Sequence, residues 1–102
     1  MILERAEFTV VDPEGFAAAY RAARRHIARA PGFRFVELSR GVERPDVFLL
    51  LVGWDTVEDH TVGFRGSELY EHWRELLHPF FTAPARVEHF EKGDGPWPSH
   101  ES

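Results

Sequence analysis

The chain has 102 residues, which is enough for one domain and too few for two. Its formal net charge is −5 with both signs interspersed, so we expect neither nucleic acid nor an anionic membrane as a partner. It has no cysteine, which excludes disulfides, thiolate chemistry and cysteine-based metal sites. No apolar run reaches the roughly 18 residues of a membrane span, and no signal-peptide pattern opens the chain. We therefore expect a soluble, cytoplasmic protein.

The first half of the chain predicts a strand followed by a long helix. Residues 2–11 suit a strand, although Glu4 interrupts the more apolar of its two faces. Asp12 and Pro13 favour a helix start, and the helix should run to about Arg29. Apolar residues at helical spacing predict one buried side for this helix. They are Phe16, Ala19, Tyr20, Ala23, Ile27 and Ala30.

The most informative stretch is the run VFLLLVGW at residues 47–54, which is apolar without alternation. A strand with one wet face alternates with period two, so this strand should be apolar on both faces. Residues 33–41 predict the preceding strand, joined to it by a turn at residues 43–46. The natural pairing of the two strands is a hairpin.

The second half predicts a short helix, a longer helix and a last strand. Residues 56–59 resemble a capping box and open a short helix that ends near Gly66. Ser67 begins a second helix, and Pro79 marks where it ends or kinks. Residues 85–92 predict the fourth strand. The apolar stripe of the second helix contains Leu69, Trp73, Leu76, Leu77 and Phe80.

The predicted domain covers residues 1–92 in the order β-α-β-β-α-β, and residues 93–102 are predicted to form a disordered tail unless Trp97 docks. This order indicates an α+β, ferredoxin-like fold with a four-stranded antiparallel sheet and two helices on one face. The helices can cover only one side of residues 47–54. An identical sheet from a second copy is the simplest cover for the other, so we predict a homodimer through the sheet face.

Five segments together resemble the antibiotic biosynthesis monooxygenase family, over roughly residues 2–91. They are PGF at 31–33, FLLLVGW at 48–54, DTVEDH at 55–60, FRGSELYEHW at 64–73 and VEHF at 87–90. The resemblance implies a dimeric α+β barrel. Its characterised members include cofactor-free oxygenases of polycyclic phenols, haem-degrading enzymes and enzymes of quorum-signal metabolism. For this chain it implies a cofactor-independent monooxygenase that acts on a small aromatic or quinol-type compound.

A cofactor-free oxygenase must bind an electron-rich phenol, help to remove its proton and hold the anion beside oxygen in a dry pocket. The catalytic candidates are His60, as base or hydrogen-bond donor, and Arg65, which would steady an anion. The alternative for His60 is a structural bond to Glu58 or Asp59. The residues expected to bind substrate are Trp54, Phe64, Tyr70, Trp73 and His89.

Two other functions stay open at this point. One is a non-catalytic dimer that binds a small molecule, and the other is a haem-binding or haem-degrading relative. Haem ligation is disfavoured because His72 points about 100° away from Trp73, the position that the resemblance would match to the ligand. We predict no metal site, since the six histidines form neither an i, i+4 pair nor an HExxH motif.

Overall fold

A computed structural model of the chain describes residues 1–94. The predicted order of elements is confirmed: β1 (Ile2–Thr9), α1 (Pro13–Ile27), β2 (Phe33–Arg40), β3 (Val47–Trp54), a π-helix (Asp59–Phe64), α2 (Glu68–Leu77), a 3₁₀ turn (His78–Phe80) and β4 (Arg86–Glu91). The predictions for the tail from residue 95 onward, including Trp97, lie outside the described residues. No helix in the described part has the length and apolar character needed to cross a membrane.

The four strands form one antiparallel sheet in the order β2-β3-β1-β4. This is the ferredoxin-like arrangement that the sequence predicts, with the hairpin of β2 and β3 at one side. β3 pairs with β1 along its whole length, from Trp54 opposite Ile2 to Val47 opposite Thr9. β3 is thus one of the two inner strands of the sheet, between β2 and β1.

Helix ends follow the local signals in the sequence. The Asp12 carboxylate accepts a hydrogen bond from the backbone N–H of Gly15 at 3.1 Å, and Pro13 occupies the first position of α1. After α1 the chain turns at Gly32, whose φ of 84° favours glycine. Ser67 caps α2 by accepting from the backbone N–H of Tyr70 at 3.3 Å. Capping chemistry therefore sets where both helices start.

The short helix after β3 differs from the expectation in its winding. Its start is the predicted capping box, because Thr56 and Asp59 each accept the other's backbone N–H, at 3.1 and 3.2 Å. From Asp59 onward it widens into a π-helix, in which the N–H of Arg65 donates to the carbonyl of His60. This rare geometry buries both His60 and Phe64.

The sheet has two unlike faces, which we call the covered face and the open face. The covered face lies under the helices, and its most deeply buried apolar residues are at most 5% exposed: Ala6, Phe8, Phe48, Leu50, Val52 and Trp54. Phe16 and Ile27 of α1 and Leu77 of α2 belong to the same buried cluster. The register places the alternate residues on the open face: Leu3, Arg5, Glu7, Phe35, Glu37, Leu49, Leu51 and Phe90.

The open face is less apolar than β3 alone indicates. Leu51 lies between Glu37 on β2 and Arg5 on β1. Arg5 in turn forms an ion pair with Glu88 on β4 at 3.5 Å. The apolar part is a strip flanked by charges, and Phe90 at its edge is 47% exposed. The face thus combines apolar contact area with a charged border.

Candidate functional site

A cavity of about 90 Å³ lies between the covered face and the helical side of the protein. The small side chain of Ala6, between Glu4 and Phe8 on β1, leaves room for it above the sheet. Its apolar wall consists of Ala6, Phe8, Ile27, Leu50, Phe64, Trp73, Leu77, Phe81, Ala85 and Val87. Its polar lining consists of Glu4, His60, Arg65, Tyr70, Arg74 and His78.

Glu4 is a buried carboxylate in the cavity wall, with only 5% of the residue exposed. Its Oε1 accepts a hydrogen bond from Nε1–H of Trp54 at 2.9 Å. The same oxygen lies 3.3 Å from Nε2 of His60. The sheet register places His89 on β4 directly opposite Glu4. Four residues from β1, β3, the π-helix and β4 therefore meet at one point.

His60 lies at the centre of this cluster and is 3% exposed. Its ring stacks on Trp54, with centroids 5.5 Å apart and planes inclined by 17°. Its Nδ1 is 2.8 Å from Nε2 of His89. The Glu4 carboxylate favours the tautomer with hydrogen on Nε2, which leaves Nδ1 to accept from Nε2–H of His89. Both ring nitrogens of His60 thus face protein groups.

Burial shifts the pKa values in the cluster in opposite directions. It raises the pKa of Glu4 above its usual range, against the Trp54 hydrogen bond and the positive charge of Arg65, which lower it. Burial, followed by the positive charge of Arg65 and the neighbouring His89, lowers the pKa of His60 to about 3. Burial also lowers the pKa of His89, and the positive charge of Arg65 lowers it to a smaller extent. Both imidazoles are therefore neutral near pH 7.

The seven residues predicted for the site fall into two groups. Five of them line the cavity: His60, Phe64, Arg65, Tyr70 and Trp73. Trp54 and His89 do not line it, but both contact His60 directly. Phe64 joins the two groups, since its ring centroid lies 5.7 Å from that of Trp54 and 5.4 Å from that of Tyr70. The seven are one cluster in space, and their catalytic and binding roles stay predictions.

The alternative role for His60, a structural bond to Glu58 or Asp59, is wrong about the partners. Asp59 exchanges hydrogen bonds with Thr56, and His60 reaches across to Glu4 and His89 instead. His72, the residue considered for haem, is exposed on α2 and stacks on His26 at 5.0 Å. Among residues 1–94 no three potential ligands cluster to hold a metal ion.

Sequence reasoning missed three polar residues of the cavity. Glu4 carried a signal, because a charged residue stands on an otherwise apolar strand face. Arg74 and His78 follow Tyr70 at intervals of four, which places all three on one side of the helix that faces the cavity. That spacing becomes informative only once Tyr70 is known to face a cavity.

Comparisons with known proteins agree with this structure. The family model "Antibiotic biosynthesis monooxygenase" matches residues 1–76. The uncharacterised protein YczJ of Bacillus subtilis (strain 168) is 46% identical over 76 residues, which are 74% of this chain and 80% of that protein.

Among solved structures, one assigned to the same family, from Bordetella bronchiseptica, is 36% identical with a TM-score of 0.87, covering 90% of this chain and 96% of that one. SnoaB, a cofactor-independent oxygenase from Streptomyces nogalater, shares the fold at 17% identity, with a TM-score of 0.77 and coverage of 96% and 97%. From the family model and the identity of its relatives, the chain belongs to the antibiotic biosynthesis monooxygenase family.

Proposed function

We propose that the protein is a cofactor-independent monooxygenase acting on a small aromatic or quinol-type compound that binds in the cavity. One observation carries the proposal. Buried polar groups, Glu4 and His60, meet Arg65 in the wall of a cavity otherwise lined by aliphatic and aromatic side chains. Such a cavity binds a ring compound and orients its polar substituent. Family membership and the fold shared with SnoaB support the same class of reaction.

The size of the cavity limits the substrate. Its volume of about 90 Å³ holds several water molecules, since each needs roughly 10–15 Å³. A typical ligand pocket of roughly 300–1,000 Å³ is several times larger, which favours a small compound. A hydroquinone or catechol therefore fits better than the polycyclic phenols used by other members of the family.

The chemistry needs no external reductant. A phenol that loses its proton becomes electron-rich enough to reduce oxygen, and the sum of phenol and O₂ equals quinone and water. The protein must supply proton transfer, a positive charge beside the anion and an environment that excludes water. In this proposal His60 donates to the Glu4 carboxylate in the cavity wall, Arg65 steadies the anion, and Phe64, Tyr70 and Trp73 contact the ring.

Oxygen uptake tests this proposal directly. Methylhydroquinone, catechol and 1,4-dihydroxynaphthalene are each incubated with the protein, and uptake without protein is subtracted. We expect catalysed uptake, fastest with a single-ring compound. Ala6→Val narrows the cavity and should lower kcat/KM at least tenfold. Ala18→Val on the exposed side of α1 is the matched control and should leave kcat/KM unchanged.

A non-catalytic binding module is the second candidate, and one observation favours it. Both ring nitrogens of His60 face protein partners, so this histidine has no free base to offer a substrate. In that case the hydroquinones would raise the melting temperature without any oxygen uptake. That result, with Ala6→Val removing the rise, would replace the monooxygenase proposal.

We also propose that two copies associate through the open face. Leu49 and Leu51 are only half-buried there, and Phe90 is 47% exposed. A second sheet would cover this strip. Sedimentation at micromolar protein should show two copies, and Leu51→Arg should yield one. Val62→Arg, at a position 68% exposed on the π-helix, is the control and should stay dimeric. A wild-type protein that sediments as one copy would overturn this proposal.

A further inference from the structure

We propose that Glu4 is the group that accepts the substrate's proton, with Trp54 and His60 holding its carboxylate in place. This inference rests on the proposed function, because it assigns the proton-transfer step of that reaction. It concerns a residue on β1, whereas the site residues predicted from the sequence extend from Trp54 at the end of β3 to His89 on β4.

The free oxygen of Glu4 is the first reason. Oε1 already accepts from Trp54 and faces His60. Oε2 has no hydrogen-bond partner among residues 1–94, although the side chain is 7% exposed and lines the cavity. A buried carboxylate oxygen without a protein partner is costly, and such a group in a folded protein is a candidate for a catalytic role or for a bound ligand. The hydroxyl of a bound phenol is a donor of the right kind.

The state of His60 is the second reason. Its Nε2 lies 3.3 Å from Oε1 of Glu4 and its Nδ1 lies 2.8 Å from Nε2 of His89, so protein groups stand against both ring nitrogens. The ring instead serves as a positioning group for the carboxylate. His89, on the other side of the imidazole, holds that ring in its orientation.

The surroundings of Glu4 suit a base that works near neutral pH. Trp54 of β3, His60 of the π-helix and His89 of β4 lie beside Glu4. Arg65, which follows the π-helix, and Tyr70 of α2 line the same cavity. Burial raises the pKa of Glu4 above its usual range, and the lowered pKa values of both histidines keep them uncharged near neutral pH. A carboxylate with a raised pKa is a stronger base than an exposed one.

The proton route balances. The phenol O–H bond breaks, its proton goes to Oε2 of Glu4, and the electron pair stays on the phenolate. Oxygen takes electrons from the ring, bonds to a ring carbon and receives that proton as a hydroperoxide. Glu4 then removes the hydrogen of the ring carbon that carries the hydroperoxide, as a proton, while the O–O bond breaks and hydroxide departs. Glu4 passes this proton to the hydroxide, which becomes water. The products are a quinone and water, and Glu4 returns to its carboxylate.

Glu4→Gln tests the role, since glutamine keeps the shape and the acceptor for Trp54 but cannot take a proton. We expect kcat/KM to fall at least 100-fold, the usual size of a general-base contribution. The acid limb of the pH profile of kcat/KM should disappear as well. The matched control is Glu7→Gln, on the open face of the same strand, which should leave kcat/KM and its pH profile unchanged.

A series of hydroquinones with increasingly acidic hydroxyls separates a base from a merely structural carboxylate. The defect of Glu4→Gln should shrink along the series, because an acidic phenol arrives already ionised. A uniform loss along the series, or a loss below threefold on the least acidic compound, would overturn the assignment.

Anaerobic binding of 4-nitrophenol reads the same step without turnover, because its phenolate absorbs at longer wavelength than the phenol. Below the pKa of this probe, the wild type and the Glu7→Gln control should bind it with a larger phenolate fraction than Glu4→Gln does. Equal fractions would contradict the inference. Absent oxygen uptake combined with unequal fractions would overturn the monooxygenase proposal alone.

Discussion

The covered and open faces of the sheet differ in how completely their charged side chains are paired. Arg5 on the open face is 35% exposed along its side chain and has two carboxylate partners at 3.5 Å, Glu7 and Glu88. Glu4, the residue before it, is buried, with one hydrogen-bond donor and one neighbouring imidazole. An exposed ion pair contributes about 0–1 kcal/mol, whereas an incompletely paired buried carboxylate is destabilising. The charge of Glu4 is therefore the one that indicates function, because it destabilises the fold and Arg5 does not.

The leucines of β3 show the same contrast in apolar terms. Leu50 on the covered face is 2% exposed in a single protomer. Leu51, the next residue, points to the open face and is only half-buried. One strand thus contributes to the core with one set of side chains and to a surface with the other.

The largest expected effect is on the stability of the protomer. Leu50→Ala should lower the free energy of unfolding by about 2–5 kcal/mol, because it removes packed side-chain volume from the core. Leu51→Ala should cost less, and its cost should grow with protein concentration if the open face joins two copies. Urea unfolding at two protein concentrations measures both. Equal losses for the two variants would contradict the distinction between the faces.

The second effect concerns pH. In the unfolded chain His60 binds a proton below about pH 6.5, but in the folded protein only below about pH 3. Its contribution to stability is thus complete above pH 6.5 and is lost as the pH falls towards 3. The slope for one such proton is about 1.4 kcal/mol per pH unit. The lowered pKa of His89 also makes the protein less stable as the pH falls. The raised pKa of Glu4 has the opposite effect, because the contribution of Glu4 to stability is lost as the pH rises.

His60→Gln removes this titration and keeps a side chain that can donate to Glu4. Urea unfolding between pH 4 and 6.5 should therefore give a shallower dependence on pH than the wild type does. An unchanged slope would show that His60 is protonated in the folded protein and would contradict the tautomer assigned to it.

The smallest of the three effects comes from a single hydrogen bond. Trp54→Phe keeps an aromatic ring against His60 and Phe64 but removes the N–H that Glu4 accepts. We expect a loss of about 1–3 kcal/mol, as for a buried acceptor that loses its donor. Trp73→Phe is the comparison, because no hydrogen bond of its indole N–H occurs within residues 1–94. Thermal melting should rank the Trp54 variant as the less stable.

Local signals determined much of the fold. The unbroken apolar run of residues 47–54 predicted a strand with two apolar faces, and capping residues such as Asp12 and Ser67 predicted where helices start. The order of elements then left few topologies, and the ferredoxin-like one is confirmed. These features depend on short stretches of chain, which a sequence displays directly.

The polar centre of the site was decided by the tertiary structure alone. Trp54 and Glu4 are 50 positions apart in the sequence, and His60 and His89 are 29 apart. Strand register brings Glu4 opposite His89, and the π-helix turns His60 inward above both. Register and helix winding are settled by packing of the whole chain, so no local pattern contains them. The sequence by itself determined the elements and their order, and only their packing decided which charges meet.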